Sequence, residues 1–418
     1  MTYMRDKKGR RLDSFEAIGA DESRRAGGIW GGSPVANEAM WADGAWTNVY
    51  ASNTRKRYIT NRATGFVRLV YAAVAGLGDT INTQPFVLRA SIESPAGTFK
   101  RVLFKGSREA VPSPGGIIIS DPVYVNFTAG QQFYVRTHAA GPNIFTFSQI
   151  MGTQIAWGES CDGSTDASSA DKTLAGTMTP NAVSHVSPVA IIGDAGMGLA
   201  FVCLVGDSIM AGLGDYDNIV DFGRGFGRRA MGNVIPYVNI ALSGDSLTTA
   251  KPFRYLLTQG CTDVLSNMGT NDVKNGSTLA IIQASMIASW IALGAFGARV
   301  WQTTITPQTT STDAWATTAN QTVTAHEAVR VGLNDWLRDG APMSGGVAVA
   351  VGAAGTRANT TGHPLTGYFD AADAVETSRN SGIWRVGSVY TGDGMGLHPN
   401  SAGAALVAAA IDTTKFVS

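Results

Sequence analysis

Cysteine is scarce in this sequence. Its 418 residues include three cysteines, Cys161, Cys203 and Cys261, which lie far apart in the chain. This number and spacing exclude a disulfide framework and fit no common metal-binding pattern. Cys203 lies within an apolar run, which predicts a buried small hydrophobic residue. We therefore expect neither a disulfide scaffold nor a metal site.

Charge is also low. Charged residues make up 15% of the chain, whereas typical soluble proteins have about 25%. The 32 Lys and Arg residues balance the 32 Asp and Glu residues. No basic excess is therefore available to bind a phosphate backbone or an anionic membrane surface. This balance argues against nucleic acid and membranes as partners and favours an uncharged small-molecule ester or glycan.

Long apolar runs are missing as well. The two best candidates, residues 347–354 and 404–411, are shorter than the roughly 18 residues that a membrane-spanning helix needs. The basic residues within segment 1–11 are not followed by the apolar stretch of a signal peptide, which predicts a solvated tail. The compartment stays open between the cytoplasm and an extracellular or phage-like particle.

Glycine, by contrast, is abundant, and the chain is long enough for two domains. Short β-branched or aromatic runs separated by turn residues extend from Phe66 to Phe147, a pattern typical of an all-β sandwich or jelly roll. Residues 1–50 show no period and predict an extended segment, and Gly158 to Ser184 predict a long loop. We assign residues 1–195 to this N-terminal part.

Beyond Gly198, apolar runs alternate with segments of helical period. Candidate strands cover residues 199–205, 234–242, 264–268, 300–305 and 347–351, and helical patterns cover residues 281–293, 325–337 and 401–411. Alternation of this kind predicts an α/β domain over residues 196–418, with a parallel sheet covered by helices.

Polar residues follow several of these predicted strands. Ligands of an open parallel sheet bind beyond the carboxyl ends of its strands, so such residues are candidates for a site. A serine at a sharp turn can act as a nucleophile, and a glycine N–H or an asparagine amide can stabilise an oxyanion. Four blocks have these features: Gly206-Asp207-Ser208, Ser243-Gly244-Asp245, Gly269-Thr270-Asn271-Asp272, and Asp393 to Asn400 with His398.

These blocks, in this order, resemble those of the SGNH hydrolases, also called the GDSL esterase family, over about residues 199–418. The resemblance implies a three-layer fold with helices on both faces of a parallel sheet. It implies that Ser208 is the nucleophile and His398 the base. It also implies an oxyanion hole formed by the Ser208 and Gly244 N–H groups and the Asn271 side chain. It implies neither a metal nor an organic cofactor.

The sequence departs from the family pattern at the acid. The position three residues before the histidine, where the family usually has a carboxylate, is Met395, whereas Asp393 lies five residues before it. Either an inserted turn lets Asp393 reach His398, or another acid or a backbone carbonyl orients the imidazole. Ala241 also stands where the family often has a glycine.

A second serine competes for the role of nucleophile. The literal string Gly-Asp-Ser-Leu begins at Gly244 and contains Ser246. Only Ser208 leaves all four blocks in order, so we predict Ser208, with Asp245 and Ser246 lining a loop or capping a helix. Each block alone is an ordinary turn or cap sequence, and the prediction therefore depends on their combination.

The predicted function is serine-dependent hydrolysis of a carboxylic ester through an acyl-enzyme. A β domain with aromatic residues such as Tyr124, Phe133 and Tyr134 suggests an acetyl ester on a carbohydrate, although these rings also fit a core. The alternatives are a lipase or thioesterase of the same fold, and a non-catalytic glycan-binding or particle-structural protein. The zincin motif is incomplete at His326, and the aspartates at 215, 217 and 221 fit no cation loop.

Overall fold

The computed structural model describes residues 33–37, 51–75, 79–81, 85–141, 158–164, 169–178, 186–193, 200–215, 225–232, 234–251 and 253–416. The predicted extended segment 1–50 falls mostly outside these residues, as do Asp217 and Asp221.

The N-terminal part is all β. Its strands are β1 (Ser33–Asn37), β2 (Ala51–Thr60), β3 (Thr64–Ala72), β4 (Val74–Ala75), β5 (Thr80–Ile81), β6 (Val87–Glu93), β7 (Phe99–Arg101), β8 (Ile117–Ile119), β9 (Val123–Phe127), β10 (Gln132–Ala140), β11 (Ser160–Ser164) and β12 (Ala190–Gly193). Ten of them form one antiparallel sheet in the order β7-β6-β10-β2-β1-β12-β3-β8, with β11 beside β2 and β9 beside β3. Strands β4 and β5 form a separate hairpin.

The ten-stranded sheet bends over on itself. Tyr71 on β3 and Thr137 on β10 share a hydrogen bond of 2.8 Å between their hydroxyls, although three strands separate β3 from β10 in the sheet order. Tyr58 stacks on Phe133 inside the resulting core, with ring centroids 5.7 Å apart. The sheet therefore encloses its own hydrophobic core, which confirms the predicted all-β region.

Strands β2 and β11 are among those that were not predicted from the sequence. Strand β2 is strongly polar, yet it is buried, and its Lys56 forms a 2.8 Å ion pair with the buried Glu159. Strand β11, which directly follows Glu159, lies within the predicted long loop and pairs with β2. Strands are usually recognised in a sequence by alternating apolar residues. Strand β2 lacks this pattern, and its burial depends instead on an ion pair and on pairing with a neighbouring strand.

The C-terminal part contains five parallel strands: β13 (Val202–Val205), β14 (Tyr237–Asn239), β15 (Asp263–Ser266), β16 (Arg299–Thr303) and β21 (Gly367–Phe369). Two small hairpins join β17 (Thr309–Ser311) to β18 (Gln321–Val323), and β19 (Met343–Ser344) to β20 (Val347–Ala348). The helices are α1 (Ser208–Ala211), α2 (Phe226–Met231), α3 (Thr270–Lys274), α4 (Leu279–Leu293), α5 (Glu327–Arg338), α6 (Ala371–Val375) and α7 (Ser401–Ala409), with 3₁₀ turns at Arg254–Gly260 and Thr413–Phe416.

The parallel sheet lies between two helical layers. Cys203 and Val205 on β13 belong to a buried cluster with residues of α4 and α5, where Trp290 stacks on Trp336 at 5.6 Å between ring centroids. The alternate residues of β13, such as Leu204, belong to a cluster with α1, α2, α6 and α7. Side chains of a strand point alternately to opposite faces, so both faces are covered. This confirms the predicted three-layer α/β fold.

One predicted strand of this sheet was wrong. The run 347–351 contributes only the two-residue strand β20 of a hairpin, and Val347 and Val351 are exposed. The fifth parallel strand is instead β21, which pairs with β16. Valine and alanine make the run 347–351 apolar, but the run follows the Gly345-Gly346 turn at the surface and does not enter the core.

The two parts share a hydrophobic core. Val70 and Ile192 of the β region belong to the same buried cluster as Val238 and Val264 of the parallel sheet. The β region therefore packs directly on the α/β part. Among the described residues, none of the helices combines the length and the apolar character needed to cross a membrane.

Candidate active site

The sheet order places three of the four sequence blocks at one edge. The order β14-β13-β15-β16-β21 has a switch point between β13 and β15, which is where open parallel sheets bind ligands. Ser208 follows β13, Gly244 follows β14, and Asn271 follows β15. The carboxyl ends of parallel strands meet at one edge, so residues distant in sequence come together here.

Ser208 lies on a sharp turn between β13 and α1. A Cβ added to Gly206 would lie 1.7 Å from Asn267 Oδ1, so only glycine allows the chain to pass there. Asp207 caps α1 by accepting a hydrogen bond from the Ile209 N–H at 2.9 Å, and it accepts another from Asn267 Nδ2 at 3.1 Å. This framework fixes the backbone of the serine. Burial raises the pKa of Asp207 to about 6.

Ser208, His398 and Asp393 form a continuous chain of hydrogen bonds. Ser208 Oγ lies 2.8 Å from His398 Nε2, and His398 Nδ1 lies 2.5 Å from Asp393 Oδ2. Ser208 and His398 are 5% and 3% exposed, so water competes little for these contacts. The arrangement matches the nucleophile, base and orienting acid of serine hydrolases.

A local turn explains how Asp393 reaches the histidine despite its spacing. Gly394 and Gly396 have φ angles of +65° and +55°, which non-glycine residues adopt only at a cost. Asp393 Oδ1 accepts a hydrogen bond from the Met395 N–H at 2.9 Å, so the other oxygen is left for His398. A tight turn thus accommodates the two extra residues between Asp393 and His398. The sequence left open which group orients the imidazole, and in the structure it is Asp393.

The loop that carries His398 is anchored on both sides. Trp384 Nε1 donates to the Gly396 carbonyl at 2.9 Å, and the Tyr390 N–H donates to the His398 carbonyl at 2.8 Å. Asn400 then caps α7 by accepting from the Gly403 N–H at 3.0 Å. These hydrogen bonds fix the backbone around His398. Together with the contact to Asp393, they set the orientation of its imidazole.

The predicted oxyanion donors lie in adjoining loops. Gly244 has a φ of +76°, and Asn271 is buried in the first turn of α3. Asn271 Nδ2 donates to the Asp245 carbonyl at 2.8 Å, which ties its side chain to the Gly244 loop. A side-chain amide carries two N–H groups, so the second remains for an acceptor in the site.

Ser246, the competing serine, has a different environment. Its hydroxyl contacts the hydroxyls of Thr248 and Thr249 at 3.1 and 2.9 Å. His398 pairs with Ser208 instead. The literal Gly-Asp-Ser-Leu string therefore builds a loop beside the site.

Several other sequence candidates have structural partners. Asp215 pairs with Arg229 at 2.5 Å and accepts the Gly225 N–H at 2.9 Å. His326 precedes α5. All three cysteines are free and buried. Within the part of the chain that the structure describes, no group of three or more His, Cys, Asp or Glu side chains could hold a metal.

The electrostatics of the site act mainly on His398. Burial lowers its pKa below the ordinary histidine value, and the hydrogen bond and negative charge of Asp393 raise it only in part. The positive charge of Lys274 lowers it further. The imidazole is therefore predominantly neutral at neutral pH, which is the form that can accept a proton from a serine.

This shift predicts the acid side of the pH profile. A general base works only when it is unprotonated, so kcat/KM should fall as the pH drops through the pKa of His398. We expect the midpoint of this fall to lie below the ordinary histidine value of about 6.5. The measurement is kcat/KM for an uncharged acetyl ester across the acidic and neutral range. A midpoint above that value would contradict the assigned environment of His398.

Comparisons with known proteins found solved structures of low sequence identity and low overall structural similarity. No protein-family model and no curated protein matches the chain. Protein YXIM from Bacillus subtilis is 14% identical, covers 85% of this chain and 78% of its own, and has a TM-score of 0.35. A lipolytic G-D-S-L family member from Veillonella parvula is 16% identical over 51% of this chain and 96% of its own, with a TM-score of 0.30. Axe2, an acetylxylan esterase from Geobacillus stearothermophilus, is 13% identical over 52% of this chain and 94% of its own, with a TM-score of 0.32. The description of the fold therefore rests on the strand order and layers themselves.

Proposed function

We propose that the protein is a serine esterase that hydrolyses a carboxylic ester through an acyl-enzyme. One observation carries the proposal: the continuous hydrogen-bond chain from Ser208 through His398 to Asp393, placed where the parallel sheet binds ligands. Buried polar side chains of three separate segments converge there. A purely structural role would not require a serine hydroxyl, an imidazole and a carboxylate in this order, with amide donors in the adjoining loops.

The geometry supports a two-step reaction. His398 Nε2 removes the proton from Ser208 as Oγ attacks the ester carbonyl, and the protonated imidazole then gives that proton to the leaving alcohol. Water, deprotonated by the same nitrogen, attacks the acyl-serine, and the imidazolium returns that proton to Ser208 Oγ as the carboxylic acid leaves. Asp393 keeps the Nδ1 proton of His398 in place and stabilises the imidazolium that forms in each step.

The tetrahedral intermediates need donors for their oxyanion. We assign these to the backbone N–H groups of Ser208 and Gly244 and to the side chain of Asn271. Donors that are already oriented before the reaction are worth about two to three decades in turnover each. The bond from Asn271 to the Asp245 carbonyl supplies this orientation without contact to the triad.

Close packing around the triad favours a short acyl group, because Ser208 and His398 are both buried. A crevice lined by Thr270, Val273, Ile305 and Leu397, among others, encloses only about 10 Å³, which is room for about one water molecule. Thr270 and Leu397 are the chain neighbours of Asn271 and His398, so the residues behind the site leave no space for a long acyl chain. Arg330 and Glu327 also line the crevice, and such polar walls disfavour a long alkyl chain.

For the alcohol part of the ester, we propose a carbohydrate. The equal numbers of acidic and basic residues suit an uncharged polymer better than a polyanion. Of the three aromatic residues considered as glycan platforms, Tyr124 is 74% exposed, whereas Phe133 is buried in the core of the β region. Tyr134 is half-buried, and the guanidinium of Arg55 covers its ring at 3.4 Å from the centroid. Tyr124 therefore remains the available platform, and acetylated polysaccharide is the proposed substrate class.

The substrate class is tested by comparing acyl chains and alcohols. We expect kcat/KM for an aryl acetate to exceed that for the matching octanoate by at least about tenfold, because each poorly accommodated methylene costs up to about 1 kcal/mol. Acetate release from an acetylated polysaccharide, followed by an enzymatic acetate assay, should also depend on the enzyme. A preference for the octanoate would point to a lipase or thioesterase instead.

A further inference from the structure

A buried chain of charged side chains connects the N-terminal β region with the loop that carries Gly244. It consists of Asp79, Arg254, Asp245 and Lys251, whose side chains are all at least 97% buried. Asp79 lies in the β4–β5 hairpin of the β region. The other three belong to the segment that follows β14. The chain thus crosses the boundary between the two parts of the fold.

Arg254 is the central member. Its Nε pairs with Asp79 Oδ1, and its Nη2 lies 3.0 Å from Asp245 Oδ2. Asp79 Oδ2 also accepts the backbone N–H groups of Phe253 and Arg254 at 2.9 and 2.7 Å. Arg254 Nη1 donates to the Ile240 carbonyl at 3.2 Å. The planar guanidinium is therefore held on one edge by the β region and presents another edge to Asp245.

Asp245 connects Arg254 to the proposed oxyanion donors Gly244 and Asn271. It is the residue after Gly244 in the chain, and its carbonyl accepts the hydrogen bond from Asn271 Nδ2. Lys251 Nζ holds the other side of the loop through the Asp245 carboxylate at 3.2 Å and the Thr249 carbonyl at 2.7 Å. Any displacement of Asp245 would therefore move both Gly244 and Asn271.

The charges in this chain balance, since two acids face two bases. Buried charges are tolerated when each is paired and hydrogen-bonded, and removing one partner leaves the others uncompensated. Arg254 without Asp79 would lose its fixed edge, and among the described residues Asp245 and the Ile240 carbonyl would be its remaining partners. It would then draw the Asp245 carboxylate, and with it the loop backbone, away from its present position.

We propose that Asp79 is a positioning residue for the oxyanion hole, so that the N-terminal β region is a working part of the esterase site. Asp79 touches no reacting atom and acts through Arg254 on Asp245, Gly244 and Asn271. The inference rests on the proposed function of the site. It assigns the β region a role that is independent of any contact with the substrate's carbohydrate.

The test is the full-length Asp79→Asn variant. Asparagine keeps the size of the side chain and an oxygen for the two backbone N–H groups, and it removes the charge that fixes Arg254. We expect kcat for an aryl acetate to fall about 10- to 100-fold, because small displacements of catalytic donors have effects of this size. KM should stay within about twofold, because the oxyanion donors act mainly in the transition state. The pH midpoint of kcat/KM should not move, because His398 and Asp393 are untouched.

Three measurements separate positioning from loss of fold. Thermal unfolding shows whether Asp79→Asn remains folded at the assay temperature, and the end point of fluorophosphonate labelling counts the intact Ser208 sites. Asp121→Asn is the matched control, since Asp121 is a carboxylate of the same β region that binds the backbone of Lys105 and Gly106. If Asp79→Asn does not fold, Arg254→Lys is the second variant. It keeps the buried positive charge but loses the planar guanidinium that contacts both aspartates, and it should show the same loss confined to kcat.

The outcomes are distinct. A loss in kcat with full labelling and an unchanged pH midpoint supports the inference. Wild-type kcat in a folded Asp79→Asn variant, or in Arg254→Lys where that variant is needed, overturns it while leaving the esterase intact. A wild-type protein that neither hydrolyses esters nor becomes labelled at Ser208 overturns the proposed function itself.

Discussion

Replacement of Ser208 by alanine is expected to lower kcat for an aryl acetate by about 10⁶-fold, the loss seen when a serine hydrolase loses its nucleophile. The reason is that no acyl-enzyme can form, and the remaining donors can only assist a direct attack by water. Ser208 is buried against His398, and alanine removes a single oxygen there. The fold should therefore persist, which thermal unfolding would show.

The matched control for this substitution is Ser246→Ala. Ser246 lies in the neighbouring loop, within the literal Gly-Asp-Ser-Leu string, and its hydroxyl contacts only those of Thr248 and Thr249 among its hydrogen-bond partners in the described residues. We expect its removal to change kcat by less than about tenfold. Full activity of Ser208→Ala together with an inactive Ser246→Ala would reverse the assignment of the nucleophile.

Replacement of Asp393 by asparagine is expected to lower kcat by about 10⁴-fold, the loss known for the orienting acid of a serine triad. The asparagine amide would donate to Nδ1 of His398, so the imidazole would carry its proton on the nitrogen that must accept the one from Ser208. Asp393 also raises the pKa of His398. Its removal should therefore shift the acid limb of the residual kcat/KM profile to still lower pH.

Asp412→Asn is a suitable control for this effect. Asp412 is an exposed carboxylate of the same C-terminal region and binds only the nearby Thr414 among its partners in the described residues, so its replacement should leave kcat and the acid limb unchanged. If Asp393→Asn kept wild-type kcat, the histidine would be oriented by another group, such as a backbone carbonyl. An acid limb that moved to higher pH would contradict the contact at His398 Nδ1.

The sequence predicted the parallel sheet and the location of the candidate site best. Two apolar runs are directly followed by Gly206 and Gly269 with their polar neighbours. These runs predicted parallel strands, and their ends predicted the edge of the candidate site, because ligands of such sheets bind at the strand ends. The contact between Asp393 and His398 could not be read from spacing alone. It depends on the backbone of Gly394 and Gly396, and a sequence shows which residues permit a turn but not which turn forms.

The N-terminal region was less predictable for a physical reason. Strand β2 is buried although it contains Lys56 and Arg57, because partners distant in sequence neutralise its charge. The same applies to Asp79, which lies in a short hairpin and has no motif around it. Its partner Arg254 is 175 residues away. Pairing between buried charges depends on the complete fold, and no local periodicity reports it.

The measurement that tests the account most directly is the mass and position of a covalent adduct after reaction with a fluorophosphonate. Such reagents trap a serine that is activated by a base and faces an oxyanion hole. We predict one adduct per chain, located on the peptide that contains Ser208, and none in the His398→Ala variant. An adduct on Ser246, or no adduct in a preparation that hydrolyses esters, would contradict the central claim that Ser208 is the nucleophile of this protein.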